Sequence, residues 1–152
     1  MVLKITYGEQ SFLFMGDAEG KTRTSSPNTP KYVEKKLLAG NHNLKVSLLK
    51  IAHHGSETSS TVPFIQAVDP NHVVIQSGRK CFRGRILPDI TTLNRYCENS
   101  PAVLFHRTDF GEEQLTVEQA LDGDHIVFRT DGVQLEMMNG NTTGFEHQRS
   151  EK

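Results

Sequence analysis

This 152-residue chain reads as an α/β layered domain. Short apolar runs of strand character alternate with segments of helical period, and such alternation argues for a sheet with helices packed on it. Two of the runs end abruptly in chemistry-bearing residues, Gly-Asp in one case and His-His-Gly in the other. The length fits one domain with a real core. A hydrophobic share of 36% and a charged share of 23% suit a soluble globular protein.

The elements follow in order. "VLKITY" alternates apolar and polar residues, and after "GEQ" comes "SFLFMGD", so the two make a hairpin. "KTRTSSPNTP" is a polar loop dense in turn residues. "KYVEKKLLAG" is a helix that places Tyr32, Val33, Lys36 and Leu37 on one face, with Gly40 as its C-cap. "KVSLLKIA" is a strand. Ser59, Ser60 or Thr61 caps a short helix through "VPFIQAV", with Pro63 in its first turn. "HVVIQSG" is a strand, "RKCFRGRILP" a basic loop, and "DITTLNRYC" a helix with Asp89 as cap. "AVLFH" is a strand and "DFGEEQLTVEQALDGD" an acidic excursion. "HIVFRT" and "VQLEMM" close a hairpin around "DG". Apolar content collapses from residue 140, so a single domain over 1–139 with a disordered tail over 140–152 is expected.

Charge and cysteine usage narrow the function. At a net charge of −1, no global field attracts a polyanion or an acidic membrane, so nucleic-acid binding would need a local patch. Cys81 and Cys97 lack a second Cys or His at zinc-finger spacing; two reduced thiols suit a cytosolic protein, and a disulfide is the alternative. No apolar run reaches the ~18 residues of a membrane span. The first residues have no signal-peptide layout, so cytoplasmic residence is the expectation.

The densest chemistry lies in "LLKIAHHGSETSS", Leu48 to Ser60. Adjacent side chains on a strand point to opposite faces, so His53 and His54 should divide their roles. His54, next to the turn at Gly55, is the candidate ligand, and His53 packs or orients it. A solvated pair, or one histidine packed in the core, is the plainer alternative. Asp17 ends the preceding strand, at the kind of strand terminus where α/β proteins place their chemistry. A carboxylate and an imidazole there suit zinc or manganese; a turn-capping role is the alternative. The other histidines, His42, His72, His106, His125 and His147, show no H-x-H spacing; His106 at a strand end is the one candidate recruit, with a core or surface place as the plainer alternative.

"ITYGEQSFLFMGDAEG" with "LLKIAHHGSETSS" resembles the metallo-β-lactamase superfamily, and within it the soluble hydrolase domain of the ComEC-type competence DNA-uptake proteins. "FIQAVDPNHVVIQSG" and "AVLFHRTDFG" resemble the family's following elements, so the likeness covers roughly Val2 to Gly111. The family's main motif, His-x-His-x-Asp-His, is absent, and "GRKCFRGRILPD" stands where many members carry a Tyr-Gly-His-Pro-like stretch. The resemblance implies the C-terminal half of an αββα sandwich. It implies that Asp17 bridges two divalent metals, zinc or manganese, that His53 and His54 form the last histidine motif, and that Ser56, Thr58 and Ser59 form the hydroxyl run beside them.

The function so implied is a metal-dependent hydrolase acting on phosphodiester or nucleic-acid-like substrates. Asp17 and His54 are its catalytic candidates, and Asp17, His54 and His53 its metal candidates. Ser56, Thr58, Arg79, Lys80 and Arg83 are the substrate-binding candidates, because clustered cations hold phosphates; Arg85 extends the cluster and Phe82 would stack a base. A plain solvated loop is the alternative. With too few ligands for a dinuclear site, this chain alone is expected to bind metal weakly or not at all and to be inactive. Its sheet is expected to expose residues such as Phe12, Phe14, Val74 or Val103. A missing N-terminal half, another chain, or a second copy would cover them. Two alternatives stand beside this reading. One is a catalytically inert half-domain serving as an assembly or binding module. The other is an unrelated α/β domain whose "GD" and "HHG" are turns, which would leave Asp17 and His54 far apart.

Overall fold

The computed structural model describes residues 1–78, 81, 84–108, 126–139 and 142–143. Strands β1 (Leu3–Tyr7) and β2 (Gln10–Phe14) form the expected hairpin, with Leu3 opposite Phe14 and Tyr7 opposite Gln10. Three crossovers follow. Helix α1 (Tyr32–Ala39) leads to β3 (Leu48–Lys50), α2 (Val62–Val68) to β4 (His72–Ile75), and α3 (Ile90–Asn99) to β5 (Leu104–Arg107). Strands β2, β3, β4 and β5 run parallel in that order. The antiparallel β1 flanks one side, and β8 (Thr142–Thr143) pairs with β5 on the other. Strands β6 (Val127–Thr130) and β7 (Leu135–Asn139) form a separate hairpin. The protein is thus mixed α/β. Of the stretch 140–152, where composition predicts disorder, the described residues are the two of β8. The acidic excursion lies outside the described residues up to position 125.

One sheet face carries the helices. Leu13, Leu49, Val73, Ile75 and Phe105 pack against Phe64, Ile65, Val68, Leu93 and Tyr96, all buried. Each such side chain contributes ~1.5–3 kcal/mol relative to an exposed one. Tyr96 meets Phe105 edge to face, the ring centroids 6.0 Å apart. Val103, expected on the open face, packs against this core instead.

Helix α1 departs from its expected face. Tyr32 is exposed and Glu34 fully buried, because Glu34 serves the loop before α2. Its carboxylate accepts from the Ser60 amide (2.6 Å), the Thr61 amide (2.9 Å) and the Thr61 hydroxyl (2.6 Å). Thr61 and Asp89 are N-caps by position, yet neither side chain caps its helix, because both are spent on tertiary bonds.

The opposite sheet face is only partly covered. Leu3, Ile5, Tyr7, Phe14 and Leu104 are exposed there, and Phe12 and Val74 are half-buried. The β6–β7 hairpin covers the far end, where Phe128 lies 5.2 Å, centroid to centroid, from both His72 and His106. His72 Nδ1 is 3.0 Å from His106 Nε2, so one ring donates and the other accepts. Burial, with His72 alongside, pushes His106 down to about 4.

Acid should therefore destabilise the fold. Between the ordinary histidine value and about 4, the unfolded chain binds a proton that the folded chain refuses. Stability is full above that window and is lost as pH falls through it, by on the order of 3 kcal/mol at its lower end. Urea unfolding at neutral and acid pH should show a smaller acid loss for His106→Leu than for the unaltered chain. Equal losses would clear His106 of responsibility.

Candidate functional site

The site gathers at the carboxyl ends of the parallel strands, the edge at which open α/β sheets bind ligands. Strand β3 stops at Lys50, two residues before the end the sequence suggests, Ala52. Residues Ala52–Gly55 form a tight turn instead. His53 (φ 46°), His54 (φ 54°) and Gly55 (φ 81°) are all left-handed. Such strain at non-glycine residues costs ~1–3 kcal/mol each and concentrates at functional sites. The turn, rather than strand alternation, divides the two histidines. The His53 amide donates to Gly16 O (2.8 Å), which anchors the turn to the end of β2 beside Asp17.

Each histidine then meets its own carboxylate. His54 Nε2 lies 3.4 Å from Asp17 Oδ1, and His53 Nδ1 lies 3.5 Å from Glu19 Oε1. On the other side of its ring, His54 Nδ1 is 2.5 Å from Gln76 O. A carbonyl only accepts, so Nδ1 carries the proton, and in the neutral ring Nε2 is a lone pair aimed at a carboxylate. Two electron-pair donors converging in this way call for a cation between them, a proton or a metal ion. A backbone carbonyl fixing the far nitrogen is also how metal-binding imidazoles are held. Asp17 and His54 are therefore together, not far apart as unrelated turns would leave them.

The hydroxyl run lies beside them. Thr58 Oγ1 is 3.3 Å from His53 Nδ1 and 3.2 Å from Ser56 Oγ. Ser56 is buried and Thr58 half-buried. Ser59, also buried, donates to Ala52 O and Ser56 O, bracing the turn. Arg79, Lys80, Phe82 and Arg83 lie outside the described residues, and Arg85 is exposed. His106 pairs with His72 under Phe128 rather than with Asp17 or His54. Among the described residues no group of three or more His, Cys, Asp or Glu side chains could hold a metal ion.

Sequence reasoning missed the supports beneath the turn. Lys21, though buried, forms a 2.7 Å ion pair with Glu57 Oε1, and Arg95 forms another with Glu57 Oε2 at 2.7 Å. Thr91 also donates to Glu57 Oε2. Burial alone would raise the Glu57 carboxyl, but Lys21, Thr91 and Arg95 outweigh it and hold it below the usual carboxylate range. Arg95 donates further to Ser59 O (2.8 Å) and Ser60 O (2.7 Å). Glu34 thus takes the N–H groups of this segment and Arg95 its carbonyls. Arg23 Nη2 reaches Ser56 Oγ (3.3 Å) and Asp89 Oδ2 (3.0 Å).

The chain is 28% identical over 123 residues to the Recombination protein 2 of Haemophilus influenzae. That match takes in 78% of this chain and 14% of the relative, so the chain spans about one seventh of the protein it resembles. No family model matches the chain, and no solved structure does. Among the described residues no helix is long and apolar enough to cross a membrane.

Proposed function

We propose that this chain contributes part of a metal-dependent hydrolase of metallo-β-lactamase type, of the ComEC kind, acting on phosphodiesters. The observation that carries the reading is the His54 lone pair aimed at Asp17, with the far nitrogen fixed by Gln76 O. Asp17 and His54 are the ligands, and His53 and Glu19 stand beside them. Catalytic zinc takes three protein ligands plus water, so further donors come from other sequence, in the same protein or in another chain. A divalent ion held there supplies a Lewis acid and a water of lowered pKa. The relative's name refers to recombination, a process on DNA; a nucleic-acid substrate for this chain is an extension of that likeness.

The chain's own residues do the positioning. Gln76 O orients His54, Gly16 O anchors His53, and the carboxylates of Asp17 and Glu19 offer negative charge to a cation. Equilibrium dialysis against zinc or manganese should detect weak binding that Asp17→Ala and His54→Ala each abolish. Uptake unchanged by both substitutions would sink the reading.

A second reading is favoured by the open sheet face of Leu3, Ile5, Tyr7, Phe14 and Leu104. In it the chain is an inert half-domain whose task is assembly, through that face, with another chain or a second copy. Dialysis repeated with the partner supplied separates the two, because the inert module then still binds no metal at the Asp17–His54 pair.

A further inference from the structure

We propose that Arg23 is a phosphate-binding residue that holds a polynucleotide strand beside the Asp17–His54 pair. The inference rests on the phosphodiester reading of the site. Arg23 lies on the polar loop between β2 and α1, and its side chain is 31% exposed. Its bonds to Ser56 and Asp89 are both made by Nη2, and among the described residues neither Nη1 nor Nε makes one. The guanidinium is thus oriented by its protein partners while donors on two nitrogens remain for a ligand, the fork geometry suited to phosphate oxygens. The carboxylate facing it is already shared, since Asp89 Oδ2 also accepts the Glu57 amide at 2.7 Å.

Position supports the assignment. Ser56 Oγ links Arg23 to Thr58 Oγ1, and Thr58 Oγ1 links to His53 Nδ1, in steps of 3.3, 3.2 and 3.3 Å. Three hydrogen bonds therefore separate the guanidinium from the histidine turn. A strand with one phosphodiester at this turn would run past Arg23 with another of its phosphates. The need is electrostatic as well: Asp17, Glu19 and Asp89 crowd this edge with negative charge, and a polyanion approaching it requires a cation on the same edge.

The test is binding of a fluorescein-labelled oligothymidylate to the full chain, followed by anisotropy over a series of salt concentrations without added metal. Each phosphate contact contributes about 0.7 to the slope of log affinity against log salt for a single strand. Arg23→Ala should weaken binding about tenfold at low salt and make that slope shallower by about 0.7. Arg23→Lys, which keeps the charge, should retain the slope. Arg23→Gln, which can still bond Ser56, should behave as the alanine variant does and serves if the latter fails to fold. An unchanged slope in Arg23→Ala or Arg23→Gln overturns the inference, as does no binding by the unaltered chain. Neither result touches the metal reading, which the dialysis experiment judges separately.

Discussion

Replacing Glu34 with alanine should cost about 3–5 kcal/mol of stability, the range found when one partner of a buried charged network is removed. The side chain is fully buried, and its carboxylate is the acceptor for two backbone amides and a hydroxyl. Each buried donor left without a partner costs ~1–3 kcal/mol. Burial raises the Glu34 carboxyl, and the bonds from Thr61 and Ser60 oppose that rise. Glu34→Gln preserves volume but turns one acceptor into a donor aimed at other donors, so it should destabilise as well. The neighbourhood has no slack: a Cβ on Gly20 would lie 2.0 Å from Glu34 Oε2. Urea unfolding measures the effect. A loss below about 1 kcal/mol, the worth of one ordinary hydrogen bond, would mean that water replaces the carboxylate and that the fold does not depend on it.

Gly55→Val should disrupt the histidine turn and remove metal uptake together. Gly55 has φ 81°, and a Cβ there would sit 2.6 Å from Pro88 Cβ. A β-branched residue in the left-handed region costs ~1–2 kcal/mol, and the overlap adds ~1–3 kcal/mol. The chain can relieve both only by moving the turn. That shifts His53 and His54 away from Glu19 and Asp17, so circular dichroism melting and dialysis against zinc should fall in parallel. Full metal uptake in a destabilised Gly55→Val protein would show that the turn does not set the ligand geometry.

Local signals in the sequence located most elements. Tyr7-Gly8-Glu9-Gln10 marks the first turn, Pro63 the start of α2 and Gly40 the end of α1. What the sequence concealed was tertiary demand on polar residues. Glu34 looks like a solvent residue on an amphipathic helix and is drawn inward by two amides of a loop more than twenty positions later. Lys21 and Arg95 look like surface cations and are buried because Glu57 neutralises both. At the site, Asp17 and His54 could be singled out because each follows an apolar run. Glu19 and Arg23 could not, because nothing local says that the loop after β2 folds back over residues 53–58. That the two histidines part company was foreseeable, but the cause and the partners were not. Strand alternation suggested it, whereas consecutive left-handed residues produce it.

The open sheet face also governs how the protein behaves in company. Its mean hydropathy of −0.47 describes a water-loving chain, yet that average is assembled from two very different surfaces. Leu3, Ile5, Tyr7, Phe14 and Leu104 concentrate oily area on one side of the molecule, while the isoelectric point of about 6.6 leaves almost no net charge near neutrality. Colloidal repulsion between molecules is weakest under that condition. An exposed apolar face then meets the least electrostatic opposition, and distance from the isoelectric point becomes the dial that keeps such faces apart.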